Sequence, residues 1–232
     1  MKLTARDLAR MIDLSMVKAN STLDDVHALA EQAKKYNCII AYVLPGYLEE
    51  LKGLLNDAPE VGPAAAVGFP SGGHTTAMKV EETRQLVAAG SAELDMVSNI
   101  GMLISGRYDY VRDEIRAVHD AAEGTPLKVI LECHYLTDDQ IRRGAELCVE
   151  AGAEWVKTGT GWTETGATPE NIALIKSVVG DDAGVKASGS VRTLDQIAEM
   201  YRCGARRYGI GLKGGISILE EVAAMPDGAM EI

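Results

Sequence analysis

Short apolar runs recur along the whole chain, and helix-like stretches separate them. Most of these runs are continuously apolar rather than alternating, which is typical of parallel strands that are buried on both faces. The pattern therefore predicts eight strands, at residues 11–15, 38–43, 64–69, 92–98, 127–133, 154–158, 184–188 and 206–211.

The stretches between these runs carry helix signals at both ends. A threonine precedes four of them, where its side-chain oxygen can cap the first turn, at Thr22, Thr137, Thr168 and Thr193. A glycine closes several of them just before the next strand, at Gly90, Gly152, Gly180 and Gly204. We therefore expect a strand and a helix to alternate through the chain.

Eight alternations of strand and helix in 232 residues are typical of an α/β fold of the (β/α)8 TIM-barrel type. A doubly wound open sheet is the alternative. No linker rich in proline or serine and no block of charge divides the chain, so we expect residues 1–232 to form one domain.

Composition and charge limit the range of partners. Apolar residues make up 47% of the chain, which can fill a core of this size. The net charge of −11 argues against a nucleic-acid partner, although a small anion could still bind in a locally positive pocket. No apolar run approaches the length of about 18 residues that a membrane span needs, and the first residues lack a signal-peptide core.

The four cysteines, Cys38, Cys133, Cys148 and Cys203, are spread along the chain, and none belongs to a CxxC pair. This distribution favours reduced, buried thiols rather than a disulfide framework. Together with the absence of a membrane or secretion signal, it predicts a cytoplasmic protein.

Polar side chains stand at the ends of several predicted strands. In a TIM barrel these ends meet at one mouth, where the chemistry takes place. The candidates are Asp13, Ser15, Asp95, Lys128, Glu132, Lys157 and Lys186. Asp95 is flanked by apolar residues, so its carboxylate must be paired or functional, because burial of an isolated charge is costly.

Lys157 and Lys186 end neighbouring strands, which lie about 4.8 Å apart in a barrel. Repulsion between two ammonium groups, together with burial, favours the neutral amine on one of them. A neutral amine is a nucleophile that can form a Schiff base with a carbonyl compound. The alternative is a purely structural ion-pair network formed by the two lysines and Asp95.

Glycine-rich loops follow the last three strands, at residues 158–161, 188–190 and 209–215. Loops at these places in TIM barrels often bind phosphate through backbone N–H groups and helix N-termini, and Arg192 and Lys213 could add positive charge. The alternative is ordinary turn chemistry. The GxGxxG spacing from Gly209 to Gly214 does not indicate a dinucleotide site, since the remaining chain is too short for a further βαβ unit.

The histidines indicate no metal site. His74 and His134 follow predicted strands and could face the mouth, but no HxH, HExxH or Cys–His spacing is present. The chain also lacks the GxSxG motif of serine hydrolases. We therefore expect neither a metal nor a cofactor.

Several longer motifs resemble those of the deoxyribose-phosphate aldolases, which are class I aldolases on a TIM barrel. They are VGFPSGGHTTAMK, ELDMVSNIGMLISGRYDYVRDEI, LKVILECHYLT, EWVKTGTGW and GVKASGSVRTL, and the likeness covers nearly the whole chain. The resemblance implies reversible cleavage of 2-deoxy-D-ribose 5-phosphate to D-glyceraldehyde 3-phosphate and acetaldehyde. It assigns the Schiff base to Lys157, and it identifies Lys186 as the lysine that favours the neutral form of Lys157. Asp95 is then the acid/base that works with Lys186.

The substrate-binding residues that we predict are Asp13, Ser15, Thr158, Gly159, Gly161, Gly189, Ser190, Gly209, Gly211 and Lys213. Part of this set departs from the family pattern. Ser190 replaces a glycine, and Gly211 and Leu212 replace two serines that contact the phosphate, while Tyr42 stands where some members have a cysteine.

These departures leave open the possibility that the same Schiff-base chemistry acts on another hydroxy-aldehyde or hydroxy-ketone, phosphorylated or not. A metabolite-binding barrel without catalytic activity is a further alternative. The expected partner is a small aldehyde or sugar, and by resemblance the chain forms a homodimer or a larger homo-oligomer.

Overall fold

A computed structural model describes residues 1–232 and contains ten strands. Eight of them, β2 to β9, are parallel and close into a barrel in the order in which they occur along the chain. The strands are β1 (Lys2–Thr4), β2 (Ile12–Met16), β3 (Ile40–Val43), β4 (Gly62–Val67), β5 (Leu94–Val97), β6 (Leu127–Ile130), β7 (Trp155–Lys157), β8 (Gly184–Ser188), β9 (Ala205–Gly211) and β10 (Ala229–Glu231).

Ten α-helices accompany the strands, together with 3₁₀ turns at Pro45–Tyr47 and Cys133–Tyr135. The helices are α1 (Ala5–Ala9), α2 (Leu23–Tyr36), α3 (Leu48–Leu54), α4 (Thr76–Ala89), α5 (Ile100–Ile104), α6 (Tyr108–Ala121), α7 (Asp138–Ala151), α8 (Pro169–Val179), α9 (Leu194–Arg202) and α10 (Leu212–Ala223). None of them combines the length and the apolar character that a membrane-crossing helix requires.

The TIM-barrel prediction is confirmed, and each of the eight predicted strands overlaps one barrel strand. The largest difference is at the end of β6, which stops at Ile130 although the apolar run continues to Cys133. Glu132 has a φ of 58°, a left-handed conformation that breaks the strand and starts a 3₁₀ turn. The sequence pattern missed β1 and β10, which have three residues each and pair antiparallel with one another outside the barrel.

Helix capping follows the predictions closely. The side chains of Thr22, Thr137 and Thr193 accept hydrogen bonds from backbone N–H groups in the first turns of α2, α7 and α9, and each belongs to a capping box. Gly152 ends α7 at a φ of 92°, where a residue with a side chain would be strained. These local signals fix where each helix begins and ends, and thereby which strand residues reach the barrel mouth.

The apolar core lies mainly between the barrel and the helices around it. Leu14, Val43, Val129 and Val156 from the strands pack in one cluster with helix residues such as Ile175. The barrel interior is different, because several of its buried side chains are charged. Since burial of charge requires partners, the interior rather than the shell is where function can be sought.

Candidate active site

The lysines predicted at the ends of β7 and β8 lie side by side on these neighbouring strands. Strand register pairs Lys157 directly with Lys186. Both line a pocket at the barrel mouth, together with Asp13, Ser15 and Ser188. The structure thus brings the two lysines together at the carboxyl ends of the strands, as a TIM barrel requires.

Asp95 connects the two lysines. Its Oδ2 atom lies 2.7 Å from Nζ of Lys157 and 2.6 Å from Nζ of Lys186. The Oδ1 atom accepts no hydrogen bond, although the Lys128 ammonium is 3.2 Å away and forms an ion pair with it. Burial alone would raise the pKa of the Asp95 carboxyl, but Lys128, Lys157 and Lys186 together hold it well below its usual range. Asp95 is therefore a carboxylate.

A second carboxylate, Asp13, extends these contacts behind the pocket. It forms a short hydrogen bond with the Lys186 ammonium and accepts from Nε of Arg207 at 3.0 Å. Arg207 also donates to Glu93 at 2.7 Å, and Lys128 donates to the same Glu93 carboxylate. Burial opposes the ionisation of Asp13, yet these cations lower its pKa to about 2. We call the whole set the inner network, and it comprises Asp13, Glu93, Asp95, Lys128, Lys157, Lys186 and Arg207.

The inner network contains four basic groups and three carboxylates. Full protonation would leave one uncompensated positive charge in a buried site, which is costly. Burial lowers the pKa of the Lys186 ammonium to about 8, although Asp13 and Asp95 favour its charged form. The site can therefore release one proton at moderate pH.

The two lysines differ in their contacts. Lys186 binds both Asp13 and Asp95, whereas Lys157 binds Asp95 alone. The side chain of Lys157 also keeps 7% of its surface exposed, against 1% for Lys186. Lys157 is thus the lysine that a molecule in the pocket reaches more easily.

The apolar side of the pocket is formed by Val17, Tyr42 and Phe69. Tyr42 is buried, and its ring lies 5.6 Å from Nζ of Lys157 and 5.2 Å from Nζ of Lys186. A cation in front of an aromatic ring is stabilised by the negative face of the ring. The pocket thus combines basic groups with an aromatic wall.

The loop after β7 is held by a carboxylate from the end of β6. Glu132 is buried, and it accepts hydrogen bonds from the Thr160 backbone N–H at 3.1 Å and from the hydroxyls of Thr160 and Thr163. No cation pairs with Glu132, so hydrogen bonds stabilise this buried charge. A Cβ on Gly159 would lie 2.7 Å from its Oε1 atom, which explains the glycine at that position.

The same loop carries Trp162 to the rim of the pocket. The Trp162 indole N–H donates to the Val17 carbonyl at 3.0 Å, and the ring packs edge-on against Phe69 with centroids 5.8 Å apart. The loops after β2, β4 and β7 therefore meet above the lysines and narrow the entrance.

The predicted substrate-binding residues of the strand 7 and 8 loops mostly make internal contacts. The Thr158 hydroxyl donates to the Ser188 carbonyl and accepts from the Ser188 backbone N–H, which joins β7 to β8. A Cβ on Gly166 would lie 2.2 Å from the Gly189 carbonyl, and a Cβ on Gly189 would lie 3.6 Å from the backbone of Gly161. These glycines allow the two loops to pack backbone against backbone.

The remaining predicted residues stand at the β9 end of the mouth or beside it. Gly209 lines the pocket, and Gly211 is the N-cap of α10. Ser190 has a φ of 59°, and Lys213 lies exposed in the first turn of α10. Arg192 is exposed as well. The substrate-binding roles of this set stay predictions.

The histidines lie away from the lysines. His74 is exposed, Nδ1 of His134 lies 2.6 Å from the Thr165 hydroxyl, and no histidine lines the pocket. No cluster of three or more His, Cys, Asp or Glu side chains is arranged to hold a metal ion. All four cysteines are free thiols, and three of them are buried.

Sequence reasoning missed Glu93 and Arg207 of the inner network. A signal for both was present, because residues two apart on a strand face the same side. Glu93 stands two residues before Asp95, and Arg207 stands two residues before Gly209. The residues at the strand ends do not include Glu93 and Arg207, because both charges lie deeper in the barrel.

A separate buried ion pair lies outside the barrel between α4 and α6. Lys79 and Glu114 have fully buried side chains, with Nζ of Lys79 2.8 Å from Oε2 of Glu114. Lys79 also donates to the Val97 carbonyl at the end of β5. Burial lowers the pKa of Lys79 and raises that of Glu114, so both shift toward the neutral form. We call Lys79 and Glu114 the outer pair.

Comparison with known proteins agrees with this arrangement. The model of the DeoC/LacD family aldolases matches residues 4–220. The deoxyribose-phosphate aldolase of Klebsiella pneumoniae is 46% identical and aligns over 97% of this chain and 91% of its own. The enzyme of the same name from Halalkalibacterium halodurans is 43% identical over 93% of this chain and 96% of its own.

Solved structures show the same likeness. The tetrameric deoxyribose phosphate aldolase of Aeropyrum pernix superposes with a TM-score of 0.87 at 28% identity, over 95% of this chain and 93% of its own. A structure described as the aldolase QR15 gives a TM-score of 0.87 at 32% identity, over 93% and 95%. With the paired lysines in a TIM-barrel mouth and a family model that matches nearly its full length, the chain belongs to the DeoC/LacD family of aldolases.

Proposed function

We propose that this aldolase reversibly cleaves 2-deoxy-D-ribose 5-phosphate to D-glyceraldehyde 3-phosphate and acetaldehyde through a Schiff base on Lys157. The observation that carries the proposal is the shared carboxylate, because Asp95 Oδ2 contacts the ammonium groups of both Lys157 and Lys186. The deoxyribose-phosphate aldolase names of the relatives support the choice of substrate.

The reaction begins at Lys157, which faces the pocket with a single carboxylate partner. The lone pair of its neutral amine attacks the C1 aldehyde of the open-chain sugar and gives a neutral carbinolamine. The carbinolamine takes up one proton on its hydroxyl, and loss of water then leaves a protonated imine. Loss of the C3 hydroxyl proton then drives cleavage of the C2–C3 bond. The bonding pair moves into a C1–C2 double bond, while the imine π electrons move to nitrogen and form an enamine.

Proton transfer is the task of Lys186 and Asp95. Lys186 lines the pocket, and its pKa of about 8 lets it accept and donate protons near neutral pH. Asp95 stabilises the charged form of Lys186 through the 2.6 Å contact. The pair takes the C3 hydroxyl proton and returns a proton to C2 of the enamine, after which water hydrolyses the acetaldehyde imine and frees Lys157.

The phosphate group would bind at the loops after β8 and β9. Gly211 caps the N-terminus of α10, a helix of twelve residues, where free backbone N–H groups and the helix dipole favour an anion. Gly189 and Ser190 lie in the loop after β8, and loops at these positions of TIM barrels often hold phosphate. Lys213, in the first turn of α10, adds a positive charge.

Borohydride trapping tests the Schiff base. Incubation with acetaldehyde and borohydride should leave a stable adduct on Lys157, located by peptide mass spectrometry, and Lys157→Met should prevent it. A folded protein that gives no adduct would contradict the proposal and favour a barrel that only binds metabolites.

A second substrate class deserves a direct comparison because neither Gly211 nor Leu212 offers a hydroxyl to a phosphate. The alternative is the same chemistry on another hydroxy-aldehyde or hydroxy-ketone. Cleavage rates for deoxyribose 5-phosphate, deoxyribose and longer sugar phosphates separate the two. A clear preference for deoxyribose 5-phosphate supports the first proposal.

We also propose where the enzyme is located, that it forms one domain and that it assembles into an oligomer. The free, mostly buried thiols support a location in the reducing cytoplasm. The pairing of β1 with β10, whose Leu3 and Met230 join the main apolar cluster, supports a single domain over residues 1–232. The tetramer of the Aeropyrum pernix relative supports a homo-oligomer, dimeric or larger, which light scattering coupled to size-exclusion chromatography tests.

A further inference from the structure

Tyr42 lies at the centre of the contacts that hold Asp95. It belongs to β3, yet its hydroxyl reaches the two following strands of the barrel. The hydroxyl donates to the Ala65 carbonyl of β4 at 2.7 Å and accepts from the Asp95 backbone N–H of β5 at 2.9 Å. One phenol oxygen therefore bridges two neighbouring strands at the residue that carries the shared carboxylate.

The bond to the Asp95 backbone bears directly on the geometry of the carboxylate. Oδ2 of Asp95 must stay within hydrogen-bonding distance of two ammonium groups at once, at 2.7 Å and 2.6 Å. Its Oδ1 atom accepts no hydrogen bond, and on that side only the ion pair with Lys128 at 3.2 Å holds the carboxylate. The place of the Asp95 backbone therefore decides whether Oδ2 reaches both lysines.

The Tyr42 ring makes a second, separate contribution. It faces the ammonium nitrogens of Lys157 and Lys186 at 5.6 Å and 5.2 Å. Since Tyr42 is 3% exposed, little water weakens this attraction. A protonated imine on Lys157 places its positive charge on the same nitrogen, so the ring also favours that intermediate.

We propose that Tyr42 is a positioning residue of the aldol reaction, whose hydroxyl holds Asp95 for proton transfer and whose ring supports the cation on Lys157. This inference rests on the proposed Schiff-base function. It assigns the ring of Tyr42 to imine formation and the hydroxyl to the proton transfer that follows. Each of these two steps can be measured with acetaldehyde alone.

The two steps are imine formation and exchange of the methyl protons. Acetaldehyde adds to the neutral Lys157 amine to give a carbinolamine, which takes up one proton, loses water and gives a protonated imine. The Lys186–Asp95 pair then removes one methyl proton, the C–H electron pair becomes the enamine double bond, and the imine π electrons move to nitrogen. Return of a deuteron from D₂O reverses these movements and labels the methyl group.

The experiment compares the wild type with Tyr42→Phe and Tyr42→Leu. Borohydride trapping measures imine formation on Lys157, and proton NMR in D₂O measures methyl exchange. Tyr42→Phe keeps the ring and its volume, so we expect trapping within about twofold of wild type and exchange about tenfold slower. Tyr42→Leu also removes the ring, and trapping should then fall about three- to tenfold.

Tyr208→Phe is the matched control. Tyr208 is a buried tyrosine of β9 whose hydroxyl donates to the Ile197 carbonyl at 3.0 Å, away from the lysines. The Tyr208→Phe variant also loses a hydrogen bond of a buried tyrosine, so it reports the general effect of such a loss on the fold. We expect its rates of imine trapping and methyl-proton exchange to stay near those of wild type.

Two results would overturn the inference alone while wild-type protein forms its adduct. One is methyl-proton exchange in Tyr42→Phe at the wild-type rate. The other is a fall in imine trapping in that variant that equals the fall in methyl-proton exchange. Failure of wild-type protein to form any adduct would instead remove the proposed function, and this inference with it.

Discussion

The inner network and the outer pair are both buried sets of ion pairs, but their charges balance differently. The outer pair has one cation and one carboxylate, Lys79 and Glu114, and burial shifts the pKa of each toward its neutral form. The inner network has four basic groups for three carboxylates. Its carboxylates Asp13 and Asp95 have lowered pKa values, and burial, with a smaller contribution from the cations Lys157 and Lys128, lowers the pKa of Lys186.

This difference in charge balance distinguishes a structural ion pair from a site suited to catalysis. In a balanced pair each charge has its own partner, and Lys79 uses a second N–H donor on the Val97 carbonyl. An unbalanced network must hold one basic group that gives up its proton readily, and a neutral amine is a nucleophile or a base. Burial of a lysine alone therefore says little about function, whereas the number of carboxylates around it says much more.

Replacement of the proposed nucleophile should have the largest effect. Lys157→Met should lower kcat by at least about 10⁴-fold, as expected for loss of a covalent nucleophile. It also leaves three cations and three carboxylates, so the free energy of unfolding should be unchanged or higher. Urea denaturation measures the free energy of unfolding. A clear decrease in this free energy would show that the excess positive charge of the inner network does not destabilise the wild-type fold.

The outer pair should show the opposite behaviour. Lys79→Met leaves Glu114 buried without a cation, and we expect a loss of about 3–5 kcal/mol in the free energy of unfolding. The kcat of the folded protein should stay within about threefold of wild type. The double variant Lys79→Met/Glu114→Leu should recover most of the stability, and a fall in kcat as large as that of Lys157→Met would break the comparison.

The pH dependence of kcat sharpens the role of Lys186. Its pKa is about 8 rather than the ordinary 10.5, so its ammonium loses its proton as the pH rises through about 8. Because the neutral amine of Lys186 must take the C3 hydroxyl proton before it returns a proton to the enamine carbon, kcat for cleavage should fall below pH 8, by about tenfold per unit. Lys186→Met should be slow and lack this limb, and a wild-type profile that is flat down to about pH 6 would contradict the assignment.

Glu132 provides a third case, a buried carboxylate without a cation. In Glu132→Gln the amide keeps one oxygen acceptor but replaces the other with a donor, which then faces the Thr160 backbone N–H and either the Thr160 or the Thr163 hydroxyl. We expect KM to rise about three- to tenfold with little change in kcat, and stability to fall by about 1–2 kcal/mol. Steady-state kinetics distinguish this result from a catalytic role, in which kcat would fall instead.

The barrel could be predicted because its signals are local. Continuous apolar runs mark strands buried on both faces, and threonine caps and glycine ends mark the helices. The predicted strand boundaries are less accurate where the backbone conformation departs from the apolar pattern. At Glu132 a left-handed φ prevents the strand from continuing, although the apolar run extends to Cys133. The strands β1 and β10 are too short to show a pattern, and they exist because two distant segments meet.

The paired lysines could be predicted because neighbouring strands end in the same plane. The contacts of Tyr42 could not, since they depend on the length of a side chain that crosses β4 to reach Asp95. The same holds for Trp162, whose indole reaches the carbonyl of Val17 in a loop far away in the sequence. Such distances follow from the closure of the barrel and leave no trace in the local pattern.

The close packing of the glycine loops has a consequence for how molecules enter and leave the pocket. The loop after β7 is bonded to Glu132, to the Val17 carbonyl through Trp162, and to the loop after β8, where the Ala167 N–H donates to the Gly189 carbonyl. No one of these segments can swing outward by itself without breaking a bond to the next. Any outward movement of one rim segment therefore costs at least one hydrogen bond to its neighbour, which favours a narrow entrance through which products leave.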